Sequence, residues 1–490
     1  VPPRLTRPLT VFLAALTLVA AARSAETRLN LDDAIRLALE RNQQVKVQAF
    51  SRPIARANLL TAAGRFDPTL NFRRSYAEAE NPVSANPLVA QLTQTDNYSL
   101  TLDGIMPWGL TYSVGGTAQN QRGVFNSFAD NYATFGGITV TQPLLRGFGF
   151  GANLSGLRIA RADRAISEWD YRQTVIDTVT RVINAYNDLL LARENLRVAL
   201  FSRSLAARLL DENEKRFRVG SISEADVTQA RARVAGRAES ILYAERAVND
   251  AENRLRLLLG EDHFSADAAP LELEPLPPAP DTAVQPAEDL PKALALRPDY
   301  QAARLGLKKY QANDDLARNQ LLPRVDFVGN YGYAGLDRDF AASRSQVRDQ
   351  DNRSYSAGVV VSVPLTFAEG RGRARAARLG LRQADADLKR LEADIALSVA
   401  NAAGQIDTTR RRVAATQTAY GFAKQALDAE EKRFRAGTSS TFFVLQLQEN
   451  LVEIESRQAA AQADARRAIA AYDRETGVTL ERHHLTLAKE

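Results

Sequence analysis

The chain has no cysteine and only three histidines among its 490 residues. The first absence excludes a disulfide framework and any thiolate metal site. Past the N-terminal segment no run approaches about 18 consecutive apolar residues, so no membrane-spanning helix is expected there. An excess of one charge is lacking too. Net charge is +5, with acids and bases interleaved, so a pI near 9.3 is no argument for nucleic acid. Among the histidines, His483 and His484 read as a solvated pair near the C-terminus, and no carboxylate is spaced to complete a ligand set with them or with His263. Gly147-Phe148-Gly149-Phe150-Gly151 has the glycines of a phosphate loop but neither the Lys-Ser/Thr nor the acid about 20 positions on, so it reads as a strand-to-helix turn. No catalytic, cofactor-binding or metal-ligating residue is expected, and the chain is read as a non-enzyme.

What is present begins with an export signal. Arg4 and Arg7 precede a 14-residue apolar run, Leu9 to Ala22, followed by small residues to Ala25, and residues 1–24 are predicted as a secretory signal peptide.

The dominant feature is duplication. An offset of 255 lays Leu39 on Leu294, Pro68 on Pro323, Phe72 on Phe327 and Tyr76 on Tyr331 without a gap. An offset of 217 lays Arg216-Phe217-Arg218 on Arg433-Phe434-Arg435, Gly220 on Gly437 and Gly260 on Gly477. The chain thus divides into a first repeat over 25–260, a proline-rich segment over 261–288, and a second repeat over 289–490. The segment is expected to be a linker or a belt around the repeats, since six prolines between Ala268 and Glu288 forbid continuous helix.

Each repeat has the same order of elements. Asn30 is placed to cap a helix running to about Ala63, with Asp33 at the capping-box position; Gly64 and Pro68 end it, and alternation through Leu70 and Phe72 marks a strand. The second repeat matches, with Val325 and Phe327 after Pro323 and an alternating return strand Tyr355, Ala357, Val359, Val361, Val363. Such alternation suits a lipid-facing barrel strand with a polar lumen, and equally a half-buried soluble sheet. Between Pro68 and Pro143 the offset falls from 255 to 221, so the first repeat holds 34 additional residues. These read as an extra hairpin over about 97–120, with Tyr98, Leu100 and Leu102 before Pro107-Trp108-Gly109 and Tyr112 and Val114 after it. It fits either a widened barrel or a flap. Two proline-free stretches, about Ser155–Val219 and Arg375–Ala436, predict helices of 60 to 65 residues, roughly 90 to 100 Å long. The stripe Val175, Val179, Val182, Tyr186, Leu189, Leu196, Leu200 gives the first a coiled-coil-like seam. Each reverses at Gly220 or Gly437 into a second helix capped by Ser223 or Ser440. Gly370-Arg371-Gly372-Arg373 is expected in the turn ahead of the second long helix.

The ordered set Leu29-Asn30-Leu31-Asp32-Asp33-Ala34-Ile35, Thr141-Gln142-Pro143-Leu144 and two Arg-Phe-Arg-x-Gly turns resembles the TolC-like outer-membrane efflux protein family over nearly the whole mature chain. The resemblance implies a mainly α fold with a β part, in which duplicated antiparallel coiled-coil helices and strands trimerise into an α-helical barrel continuous with a transmembrane β-barrel. It implies four strands per chain, where this sequence offers six. It further implies a passive outer-membrane conduit of a tripartite efflux pump or type I secretion system, extending into the periplasm. Its partners would be outer-membrane lipid, a periplasmic adaptor and, indirectly, an inner-membrane transporter, with no nucleic acid. The turns at Arg216, Phe217, Gly220 and Ser221, and at Arg433, Phe434, Gly437 and Thr438, would be the adaptor-contacting tips. An exposed aromatic there is unnecessary for folding, which favours a docking role. The periplasmic gate would involve Asp226 and, at the matching acidic positions of the second repeat, Phe443 and Gln446. The alternatives on sequence are an exported periplasmic coiled-coil scaffold and a stand-alone diffusion porin.

Overall fold

The computed structural model describes residues 28–80, 92–260, 270–280 and 284–486. The signal peptide expected over 1–24, and His263, lie outside the described residues. The elements in chain order are α1 (Leu31–Arg41), α2 (Gln43–Ala49), α3 (Ser51–Ala63), β1 (Thr69–Glu80), β2 (Leu92–Ile105), β3 (Thr111–Gly123), β4 (Tyr132–Pro143), α4 (Gly149–Asn153), α5 (Ser155–Arg218), α6 (Glu224–Leu259), α7 (Pro286–Leu296), α8 (Pro298–Gln320), β5 (Arg324–Asp337), α9 (Phe340–Arg348), β6 (Asn352–Ser362), α10 (Ala368–Arg435), α11 (Thr441–Thr476) and α12 (Thr479–Arg482). The duplication is legible in these bounds: α1 and α7 differ by 255 at both ends, and α6 and α11 by 217 at both ends.

Two compact units result, one assembled from three chain segments and the other from two. Among the described residues the helical unit takes 28–48, 171–260, 270–280, 284–298 and 393–486. Its main core places Ala34, Ile35 and Ala38 of α1 against Val175, Val179, Val182, Tyr186 and Leu189 of α5 and Leu255 and Leu259 of α6. The expected α5 seam holds through Leu189. Beyond it Leu200 is exposed, and Val198, Leu205 and Leu209 are the buried side chains instead. A straight helix drifts about 20° per heptad against a 3.5-residue stripe, so the buried face passes to a different set of residues further along the helix. A second cluster, near the end of α5, joins Leu209 to Leu427, Phe434, Val444, Leu445 and Leu451.

The first helix is not continuous to Ala63. Asn42 adopts ψ 124° and ends α1. Its Oδ1 accepts from Gln44 N at 2.9 Å and its Nδ2 donates to the Leu258 carbonyl at 3.0 Å, so one side chain recaps α2 and ties it to α6. Arg297, 255 residues later, ends α7 in the same way ahead of Pro298, and donates to the Glu475 carbonyl at 3.1 Å and to its carboxylate at 2.5 Å. Asp33 pairs with Arg36 at 3.3 Å, while Asn30 accepts from Asp33 N at 2.7 Å. The proline-rich segment is partly helical, because α7 starts with Pro286 at its first position, where a missing N–H costs nothing. The described stretch 270–280 lies across the helices. Leu273 bridges Leu29 and is buried, the Tyr186 hydroxyl donates to the Leu29 and Glu274 carbonyls at 2.8 and 2.7 Å, and Arg466 donates to the Pro277 carbonyl at 3.0 Å.

The second unit, Ala49–Asp170 with Asp299–Glu392, holds one six-stranded antiparallel sheet in the order β1-β2-β3-β4-β5-β6. The extra hairpin is β2 and β3, hydrogen-bonded on both sides and integral to the sheet, so it is not a flap. Cross-strand rows separate two chemistries. One face carries Leu70–Leu102–Val114–Ile138–Tyr331–Tyr355, and the other Asn71–Thr101–Gly115–Gly137–Gly332–Ser354. No second sheet covers the apolar face among the described residues: Leu70 and Phe72 are 71% exposed and Val361 61%. Gly147 and Gly149 do form the turn into α4, but Gly370 to Arg373 lie inside the first turns of α10 rather than ahead of it.

Candidate functional site

The two helix reversals are built from the same backbone. After α5, Gly220 takes φ 74°, with Gly220 N donating to the Phe217 carbonyl and Ser221 N to the Arg216 carbonyl, both at 2.9 Å. After α10, Gly437 takes φ 77°, with Gly437 N on the Phe434 carbonyl at 3.1 Å and Thr438 N on the Arg433 carbonyl at 3.0 Å. A β-carbon on either glycine would meet nothing within 4 Å, so glycine is required for the left-handed backbone and not for space.

The side chains do not repeat. Phe434 is only 4% exposed and belongs to the second core cluster, so its role is in packing and it does not present a docking aromatic, contrary to the sequence expectation. Burial was not legible because it comes from Leu209 and Val444, on helices the local sequence does not specify. The Arg216 guanidinium lies 4.1 Å above the Phe434 ring and is held at 3.0 Å by Glu212. The equivalent Phe217 is 43% exposed, and Arg433 reaches only Glu430, at 3.4 Å.

Past the turns the difference widens. Ser223 and Asp226 close a capping box: Asp226 N donates to Ser223 Oγ at 3.3 Å and Ser223 N to Asp226 Oδ2 at 3.2 Å. Ser440 occupies the matching N-cap but makes no side-chain cap bond, and Phe443 at the third helical position has no acceptor with which to complete a capping box. Its neighbour Ser439 bonds Glu430 instead. Phe442 and Phe443 are both more than half exposed and stack edge-to-face at 5.6 Å, and Gln446 is exposed on the same helix. Sequence reading missed Asn213, fully buried, which donates to the Asp226 carbonyl and accepts from Thr441 Oγ1, both at 3.4 Å, and so links the start of α6 to the start of α11. An asparagine amid the charged run Asp211–Lys215 gave no signal of that.

Ion pairs join the two hairpins further along: Arg197 to Glu455 at 2.6 Å, Arg233 to Glu449 at 3.2 Å and Arg474 to Asp177 at 2.8 Å. Near the C-terminus His483 is not solvated as expected. It packs 3.6 Å from Asp32, and burial pushes its pKa down. Asp473 is 2% exposed; its Oδ2 meets Arg482 at 2.9 Å and its Oδ1 has no hydrogen-bond partner, and burial pushes its carboxyl up to about 6.

Comparison with known proteins agrees with this architecture. The chain is 25% identical over 296 residues to the outer membrane protein TolC of Vibrio cholerae, covering 60% of this chain and 66% of that protein. It is 26% identical over 305 residues to the pyoverdine export outer membrane protein OpmQ of Pseudomonas aeruginosa, covering 62% and 61%. The chain therefore spans under two thirds of the length of these relatives. The solved structure of the outer-membrane channel OprN shares the fold at a TM-score of 0.70 and 21% identity, over 91% of this chain and 89% of that one. A family model described as outer membrane efflux protein matches residues 34–261 and 290–477. These two segments follow the two repeats and cover most of the sequence, and the chain belongs to the outer membrane efflux protein family.

Proposed function

We propose that three copies of this chain form a passive conduit through the outer membrane and into the periplasm, serving an efflux or secretion system. The observation that carries this reading is the six-stranded sheet with one apolar face, one polar face and two open edges, β1 and β6. In lipid an open edge leaves N–H and C=O groups unsatisfied, so the sheet must close on further copies. An even strand number lets β6 of one copy run antiparallel to β1 of the next. Three copies give eighteen strands, against twelve for the four per chain implied by the family resemblance, and barrel diameter grows with strand number.

The helical hairpins support the same head-to-tail ring. Arg216 of the first repeat covers Phe434 of the second inside one chain, while Arg433 and Phe217, their counterparts, are left open. In a ring, Arg433 of one copy would cover Phe217 of the next. The turns about Gly220 and Gly437 are the docking points for a periplasmic adaptor, with Ser221 and Thr438 as the presented groups, and an inner-membrane transporter supplies the energy.

Past the turns the closed aperture would carry Asp226 from one repeat and Phe443 with Gln446 from the other. A threefold ring of phenyl groups constricts by excluding water. Phe443→Ala is expected to raise single-channel conductance in planar bilayers, and unchanged conductance would remove Phe443 from the gate.

The test of the whole reading is to fractionate the envelope, solubilise the outer membrane in mild detergent and weigh the complex. A trimer in that fraction supports the conduit. A soluble periplasmic monomer refutes it in favour of a scaffold.

A further inference from the structure

The apolar face of the sheet is interrupted at one place by a helix. α9, in the connection from β5 to β6, sits at the sheet end opposite the one where the chain enters from α3 and leaves into α10. It rests on the same face as Leu70, Phe72 and Leu100, because Thr134, whose cross-strand row is Tyr98–Ala118–Thr134–Gly335, meets Ser343 Oγ at 2.7 Å and donates to the Ser343 carbonyl at 3.0 Å. Ser343 Oγ is also 2.9 Å from the Tyr132 carbonyl, and Phe340 packs on Tyr132 at 5.6 Å. The sheet makes room for the helix. A β-carbon on Gly335 would fall 2.0 Å from the Ser343 carbonyl oxygen, and one on Gly136 2.9 Å from Val347 Cγ1.

Beside α9 this leaves a groove of about 510 Å³ on the apolar face, floored by Phe72, Leu100, Val114 and Gly116 and walled by Phe340 and Val347. Arg344 is the single charged side chain lining it. That guanidinium is exposed and has no ion pair or hydrogen bond among the described residues. The neighbouring rows mark a boundary of polarity: Phe72–Leu100–Gly116–Gly136–Tyr333 is apolar until it reaches Arg353 on the edge strand β6, whereas Tyr76–Asp96–Asn120–Tyr132–Asp337, where Phe340 rests on Tyr132, is not. Tyr333, Tyr98 and the pair Tyr76 and Tyr132 fall on three successive rows across this boundary, as aromatic side chains do where a barrel meets the headgroups.

An occupant of the groove must be apolar along its length and anionic at one end. We propose that it is a phosphate-bearing lipid of the outer leaflet, with an acyl chain lying over Gly116 and Gly136 and its phosphate against Arg344, whose planar donor fork matches phosphate oxygens. The inference rests on the membrane reading above and goes beyond it, since a lipid-facing sheet needs neither a covering helix nor an unpaired arginine.

The test uses full-length protein extracted from outer membranes in mild detergent and titrated with phosphatidylglycerol or with diacylglycerol of the same chain lengths, with retained lipid counted by native mass spectrometry. One phosphatidylglycerol per protomer is expected on the wild type. Retention should fall about tenfold in Arg344→Gln, stay unchanged in Arg348→Gln, whose arginine pairs with Asp349 at 2.9 Å, and be absent for diacylglycerol. Equal retention by Arg344→Gln and wild type, or equal retention of the uncharged lipid, would overturn the site while leaving the conduit standing. Protein recovered as a soluble periplasmic species would overturn both.

Discussion

The two hairpin turns share a backbone and differ in nearly every side chain that matters. Both long helices end in Arg-Phe-Arg, both reverse at a glycine near φ 75°, and both return helices start at equivalent positions. Yet the second-repeat phenylalanine is a core residue and the first-repeat one is not, and the capping box of the first repeat faces a phenylalanine pair in the second. Duplicated backbone geometry needs only a glycine and helix ends at the right spacing. The side chains are free to diverge because the backbone makes no demand on them: Phe434 packs against Leu209 and Val444, while Phe217 is left exposed.

The largest test of that asymmetry is truncation of the two phenylalanines. Phe434→Ala should cost about 3 kcal/mol in denaturant unfolding, as large-to-small core changes do, and Phe217→Ala less than about 1 kcal/mol in the separated protomer. Because the native chain has no cysteine, paired cysteines report the contact directly. Phe217→Cys with Arg433→Cys should give chain-to-chain bonds on a non-reducing gel, and Arg216→Cys with Phe434→Cys only bonds within a chain. If both pairs link within one chain, the head-to-tail ring is wrong.

Asp473 offers a second, smaller contrast, since its first-repeat counterpart is Arg256, buried against Glu252 at 2.6 Å. A carboxyl raised from its ordinary value to about 6 binds its proton more readily in the folded state. Its contribution therefore opposes folding above pH 6 and is relieved as pH falls toward 4, by about 2 kcal/mol in all. Asp473→Asn should flatten a stability profile measured between pH 4 and 7; an unchanged slope would place the dependence elsewhere.

The smallest effect separates the caps. Ser223→Ala should cost about 1 kcal/mol through loss of the box, and Ser440→Ala close to nothing, as read from thermal unfolding. Equal losses would mean that Ser440 caps in solution after all.

Much of this fold was legible in sequence where local chemistry decides: glycines stop helices, serines and Asp226 start α6, and alternation marks strands. The parts that were not legible depend on distant partners. The break at Asn42 draws on a bond to the Leu258 carbonyl, and Phe434 is buried by Leu209 from the other repeat. α9 went unread, although Asp339 accepts from Ala342 N at 2.9 Å as an ordinary N-cap, because nine residues between two strands pass for a loop. At the turns, Gly220 and Gly437 adopt the left-handed backbone that their spacing predicts, whereas the burial of Phe434 depends on packing the local sequence does not encode.

The equal length of α6 and α11, 36 residues each, bears on how such a chain can change over evolutionary time. In the proposed ring an insertion in α6 or α11 alone would leave a rim of uneven height, so length changes in those two helices should be inherited in matched pairs. The sheet is under no such constraint: β2 and β3 have no counterpart in the second repeat, and because a hairpin returns the chain to where it left, they leave the sequential order of the sheet intact. In the proposed ring circumference could therefore change by whole hairpins, whereas a change in α6 alone would unmatch it from α11.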